Sequence, residues 1–138
     1  MTQQPHPLFK EWLHRLETEN EAEIRTDSYL SQEGDDGRQC FCALGLAADV
    51  LVQHGIGEWR AQDTGLYAFS VDDMGIYRFH IGGLSNFAFE QMGLRLTNHR
   101  DFNDFVAGLN DPRSNGKHVH TWPEIADRIR EYVKEESN

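Results

Sequence analysis

Between Cys40 and Val52 the chain runs through thirteen residues with a single charge, Asp49: Cys40-Phe41-Cys42-Ala43-Leu44-Gly45-Leu46-Ala47-Ala48-Asp49-Val50-Leu51-Val52. The run is too short to cross a bilayer, which takes about 20 apolar residues. It is also apolar over too much of a helix circumference to lie on a surface, so it must be interior. Cys40, Leu44, Ala47 and Leu51 share one stripe at helical spacing, with Phe41, Ala48 and Val52 beside it. This predicts a central helix from about Arg38 to Gln53. Gly45 in its middle costs about 1 kcal/mol relative to Ala, so a close approach by another segment is expected there. Gly55, after His54, is the natural stop.

The remaining segments are read around that pillar. With 138 residues the chain is long enough for one ordinary domain, expected over residues 8–138 behind a loose tail at 1–7. Leu8, Phe9, Trp12, Leu13 and Leu16 recur at helical spacing and predict a first helix from about Leu8 to Thr18, with Pro7 suited to its first turn. Leu66-Tyr67-Ala68-Phe69-Ser70-Val71 and Ile76-Tyr77-Arg78-Phe79-His80-Ile81 flank Asp72-Asp73-Met74-Gly75 and predict a β-hairpin. Its expected inner face carries Tyr67, Phe69 and Val71, matched by Tyr77, Phe79 and Ile81. Ser85 reads as the N-cap of a short helix to Met92, stopped by Gly93. Phe102, Phe105, Val106 and Leu109 give a fourth helix from about His99 to Leu109, broken at Asn110-Asp111-Pro112. Thr121-Trp122-Pro123-Glu124 is a capping box opening a last helix through Ile125, Ala126, Ile129, Tyr132 and Val133. The expected class is therefore α+β: a mostly helical single domain of about five helices with a β-hairpin inserted at Leu66 to Ile81.

Charge excludes several partners. The chain carries 23 acids against 13 Lys and Arg, a net charge of −10. Nucleic-acid binders need the opposite balance to displace counterions from phosphates, and anionic membranes disfavour such a chain equally. Seven of the ten net charges fall between Glu17 and Asp36, where Glu17, Glu19, Glu21, Glu23, Asp27, Glu33, Asp35 and Asp36 face one base, Arg25. That window reads either as a solvated face or as a surface for a basic protein partner, presented by Glu17, Glu19, Glu21, Glu23, Asp35 and Asp36. The start Met1-Thr2-Gln3-Gln4-Pro5-His6-Pro7 has neither the cationic residues nor the apolar run of a secretion signal, and two cysteines two residues apart are no disulfide framework. A cytoplasmic protein is expected.

Three motif segments carry a resemblance. Cys42-Ala43-Leu44-Gly45-Leu46-Ala47-Ala48-Asp49, Leu109-Asn110-Asp111 and Trp122-Pro123-Glu124-Ile125-Ala126-Asp127-Arg128-Ile129 stand in that order along the chain. The order resembles a set of small proteins from bacteriophages and their bacterial hosts. Those proteins read C-C-L-G-x-L-C-D, then L-N-D, then F-x-x-I-A-x-x-I. The resemblance implies an α-rich fold and a phage or mobile-element origin, and it implies no particular activity. Two of the family's cysteines fall on Ala43 and Ala48 here, and Cys40 is additional.

Two kinds of chemistry remain to be weighed. A cysteine opening a buried helix, followed by His and then Asn or Asp, is the order of papain-like thiol enzymes. Cys42 with His80, His118 or His120 and with Asn110 or Asp111 would supply it. The alternative is that both thiols fill core space, since free Cys is among the most buried residue types. Zinc held by Cys40, Cys42, His118 and His120 is disfavoured, because residues two apart on a helix point about 200° apart, so both thiols could reach one metal only if the helix starts after Cys42. No metal and no cofactor are called for. Asp49 is awkward in an apolar stripe and needs a partner. The expected one is the Asn110-Asp111 stop, either as a packing tie or as a polar pocket formed by Asp49, Asn110 and Asp111 for a small ligand.

These readings converge on a small acidic non-enzymatic binding protein. It would either modulate host or defence proteins or trap a small polar ligand. A Cys/His hydrolase or transferase and a structural component of a particle are the alternatives, and a homodimer is an open assembly state.

Overall fold

The computed structural model describes residues 6–73, 75–113 and 115–136, apart from the side chain of Tyr77. Of the expected tail at 1–7, residues 1–5 lie outside the described residues, while His6 caps the first helix and Pro7 opens it.

That helix, α1 (Pro7–Thr18), starts at His6, whose Nδ1 accepts a hydrogen bond from the Leu8 N–H at 3.1 Å. It buries Phe9, Trp12, Leu13 and Leu16, spaced as the sequence pattern requires. A one-turn helix, α2 (Glu21–Ile24), follows inside the acidic window. Two three-residue strands come next, β1 (Ser31–Glu33) and β2 (Gln39–Phe41), paired antiparallel across the turn at 34–37. The central helix α3 (Ala43–Gln53) then crosses the interior. Strands β3 (Glu58–Ala61), β4 (Leu66–Asp73) and β5 (Ile76–His80) complete a five-stranded antiparallel sheet. Helices α4 (Asn86–Gln91), α5 (His99–Asn110) and α6 (Trp122–Glu136) close the fold.

The class is α+β, with six helices among the described residues where about five were expected. The larger departure is the sheet: the expected hairpin exists as β4–β5, but β1, β2 and β3 extend it. Strand β1 pairs with β4 at Leu66 and Tyr67, while β5 pairs with it at residues 69–73. The two short strands therefore lie end to end along one edge of β4, joined by the Leu30 N–H donating to the Ile81 carbonyl at 2.6 Å.

Two expectations need correction. Cys40 and Phe41 are not on a helical stripe, because they pair with Gln32 and Ser31 in the β1–β2 ladder. Extended Cys42 (φ −85°, ψ 177°) ends that ladder and caps α3. The inner face of the hairpin is also different. Asp73 pairs with Ile76, leaving two residues between the strands, so Ser70 stands opposite Phe79 and Phe69 opposite His80. Partners directly opposite share a face. Phe79 therefore lies on the far side from buried Phe69 and Val71, and is 57% exposed.

The close approach expected at Gly45 is present. A Cβ there would sit 1.8 Å from the Leu30 carbonyl oxygen, which accepts from the Cys42 N–H at 3.1 Å. Helix α3 packs on α1, α4 and α5 and touches β2 and β3, and every residue from Ala43 to Leu51 is buried. Among the described residues no helix is long and apolar enough to cross a membrane.

Candidate functional site

Cys42 is 5% exposed, and its Sγ accepts the Gly45 N–H at 3.3 Å. Burial pushes its thiol up to about 12, against the downward pull of the backbone N–H groups at the helix start. Two of the imidazoles that were candidates to activate it, His80 and His118, are engaged elsewhere. Half-buried His80 lies with Nδ1 3.3 Å from the Phe69 carbonyl, and burial lowers its pKa. His118 Nε2 lies 2.8 Å from Asp27 Oδ1. Cys40 is also buried in its strand, and burial, then the nearby Asp36 charge, raises its pKa. Among the described residues no group of three or more His, Cys, Asp or Glu side chains is placed to hold a metal ion.

Asn110 is the best-connected polar group of the interior. Its Oδ1 accepts from the Ala43 N–H at 3.1 Å and the Trp122 indole N–H at 3.0 Å, and its Nδ2 donates to the Thr26 carbonyl at 3.0 Å. The three motif segments thus meet at one amide: the start of α3, the end of α5 and the start of α6. Arg25 closes the arrangement from outside, donating to the Asn110 carbonyl at 2.6 Å, the His120 carbonyl at 2.9 Å and Glu21 Oε2 at 2.6 Å. Glu21 Oε1 in turn accepts from the Trp122 N–H at 3.0 Å. Asp111 Oδ1 accepts from the N–H of Ser28, whose φ is +71°. With every oxygen and hydrogen of its side-chain amide used or screened in this way, Asn110 is a structural cap.

Asp49 does not join that cap. It lies six residues into α3, about 9 Å along the axis from Ala43. Its Oδ2 accepts from Arg15 Nη1 at 2.7 Å and its Oδ1 from the Trp59 indole N–H at 2.8 Å. The helix turn directs it toward α1 and β3, where a guanidinium and an indole were within reach. The pocket expected from Asp49, Asn110 and Asp111 is therefore replaced by two separate ties.

The acidic window is largely matched by the fold itself. Glu17 pairs with Arg130, Glu19 with Arg15, Glu21 with Arg25, and Glu23 and Asp36 with Arg38. Arg15, Arg38 and Arg130, added to the window's own Arg25, take the charge of this face from −7 to −4. Asp35 and Asp36 rim a shallow dish of about 540 Å³ that also includes Glu33 and Cys40.

A concavity larger than this dish lies elsewhere. A groove of about 870 Å³ follows α1 from His6 to Glu17, roughly 16 Å of helix, and is closed by α6 and by the turn after α4. Phe9, Leu13, Met92, Leu94 and Val133 form its apolar floor, and Lys10, Glu11, His14, Glu17, Arg130 and Lys134 its rim. Gly93 (φ +77°) closes one end, since a Cβ there would lie 2.7 Å from the His6 Cβ. Sequence reasoning missed this site. Its signal was the spacing of four between His6, Lys10 and His14, and again between Arg130 and Lys134. Such spacing also describes an ordinary solvated helix face.

No family model matches the chain, and no curated protein or solved structure does.

Proposed function

We propose that this chain is a non-catalytic binding protein that holds a small ligand in the groove along α1. The observation that carries the reading is the groove itself: about 870 Å³, apolar in its floor and charged at its rim. Those dimensions and that lining are the general pattern of small-molecule sites. The interior position of Cys42, with its sulfur on the Gly45 N–H, supports binding over thiol catalysis. Docking of a basic host protein on residues 17–36 is the weaker version, because arginines already occupy much of that acidic face.

The test is a thermal-shift screen with small amphipathic and polar ligands, run beside an assay for ester and amide turnover. A ligand at a hundred times its Kd stabilises a folded protein by about 2.7 kcal/mol, which raises the midpoint by several degrees. At least one ligand is expected to do so, with no turnover. Turnover that disappears in Cys42→Ser, with no ligand raising the midpoint, would overturn the proposal.

A further inference from the structure

The rim charges of the groove differ in how far they are already satisfied. Arg130 donates to Glu17 at 2.6 Å and to Asp127 at 2.9 Å, and Glu11 meets His54 at 3.1 Å. The Lys10 and Lys134 side chains are exposed, and their ammonium groups make no hydrogen bond or ion pair among the described residues. They stand on opposite walls, Lys10 on α1 and Lys134 on α6, with Phe9, Leu13 and Val133 in the floor between them. On a chain of net charge −10, two unsatisfied ammonium groups beside an apolar trough form a local positive site. The free ring nitrogen of His6, whose Nδ1 is occupied by the Leu8 N–H, lies on the same side.

We infer that the groove takes a free amphipathic monocarboxylate, its apolar body on the Phe9–Leu13–Val133 floor and its carboxylate between Lys10 and Lys134. This rests on the groove being the ligand site. The floor calls for an extended apolar body, because a purely polar ligand would leave Phe9, Leu13, Met92 and Leu94 against water. The ammonium groups call for an anionic head, and they act as point charges without the planar fork that arginine offers to phosphate. Glu11 and Glu17 on the same rim set a limit to that charge. Lys10, Arg130 and Lys134 against Glu11 and Glu17 leave the lining a net charge of +1, which matches one negative charge and not a polyanion such as a nucleotide.

The experiment is calorimetric titration with decanoate, decanol and decyltrimethylammonium, which share a tail and differ in head charge. Decanoate is expected to bind most tightly. Lys10→Ala/Lys134→Ala, both at exposed positions, is expected to weaken decanoate roughly tenfold or more while leaving decanol unchanged. Lys10→Arg/Lys134→Arg is expected to restore most of the loss, which a merely structural effect would not do. Decanol binding as tightly as decanoate would overturn the carboxylate assignment and leave the groove as a site. Failure of all three to bind would overturn the groove as the ligand site as well.

Discussion

A thiol at the first turn of a helix is ordinarily acidified by the free N–H groups there, and Cys42 occupies that position. Burial outweighs the effect and drives its pKa to about 12. The shift makes a statement about stability. The unfolded thiol ionises near pH 8.5 and the folded one does not, so above that pH the unfolded chain binds fewer protons. Stability should therefore fall as pH rises from about 9 toward 12, by up to roughly 1.4 kcal/mol per unit from this residue. Urea unfolding across that range measures it, and Cys42→Ala should flatten the slope. An equal slope in both proteins would show that this thiol is not the cause. Asn110 is the other residue on which the interior turns. Removing its amide strands the Ala43 N–H, the Trp122 indole and the Thr26 carbonyl, each at a cost of about 1–3 kcal/mol.

At the scale of elements, the sharpest consequence lies at Gly45. Gly to Ala inside a helix normally stabilises by about 1 kcal/mol. Here the added methyl carbon would stand 1.8 Å from the Leu30 carbonyl oxygen, and moving it would break the bond from the Cys42 N–H. Gly45→Ala should lower the thermal midpoint by about 5 °C or more, at about 2–4 °C per kcal/mol for a domain near 150 residues. An unchanged midpoint would mean that α3 is not pinned against that segment. The same elements explain what the sequence disclosed. Helices α1, α4, α5 and α6 were legible because their apolar residues fall at helical spacing beside a boundary signal: Pro7 in the first turn of α1, the caps Ser85 and Thr121 of α4 and α6, and the Asn110-Asp111-Pro112 break that ends α5. Strands β1 and β2 are three residues long, too short to show a period, and β1 lies inside a run of acids. Cys40 and Phe41 fitted the helical stripe equally well, and only their ladder partners Gln32 and Ser31 decide for strand. The hairpin was legible, but its faces depended on a two-residue connection that composition does not specify.

Across the whole molecule, charge and cavity meet at one ion pair. The acids at residues 17–36 are tied to Arg15 of α1, Arg25 at the end of α2, Arg38 ahead of β2 and Arg130 of α6, so they brace the fold as well as face water. The apolar groove with its two unsatisfied lysines adjoins this face at Glu17 and Arg130, which line both. Its residues come from three segments far apart in sequence, 6–17, 92–94 and 130–134, which is why no local pattern announced it. The central claim is that ligand occupies this groove and not the start of α3. Amide chemical-shift mapping of the isotope-labelled protein during titration with decanoate tests it most directly. The account predicts changes concentrated at residues 6–17, 92–94 and 130–134, with Cys42 to Gly45 unmoved. Changes centred on Cys42, His80 and Asn110 would contradict it.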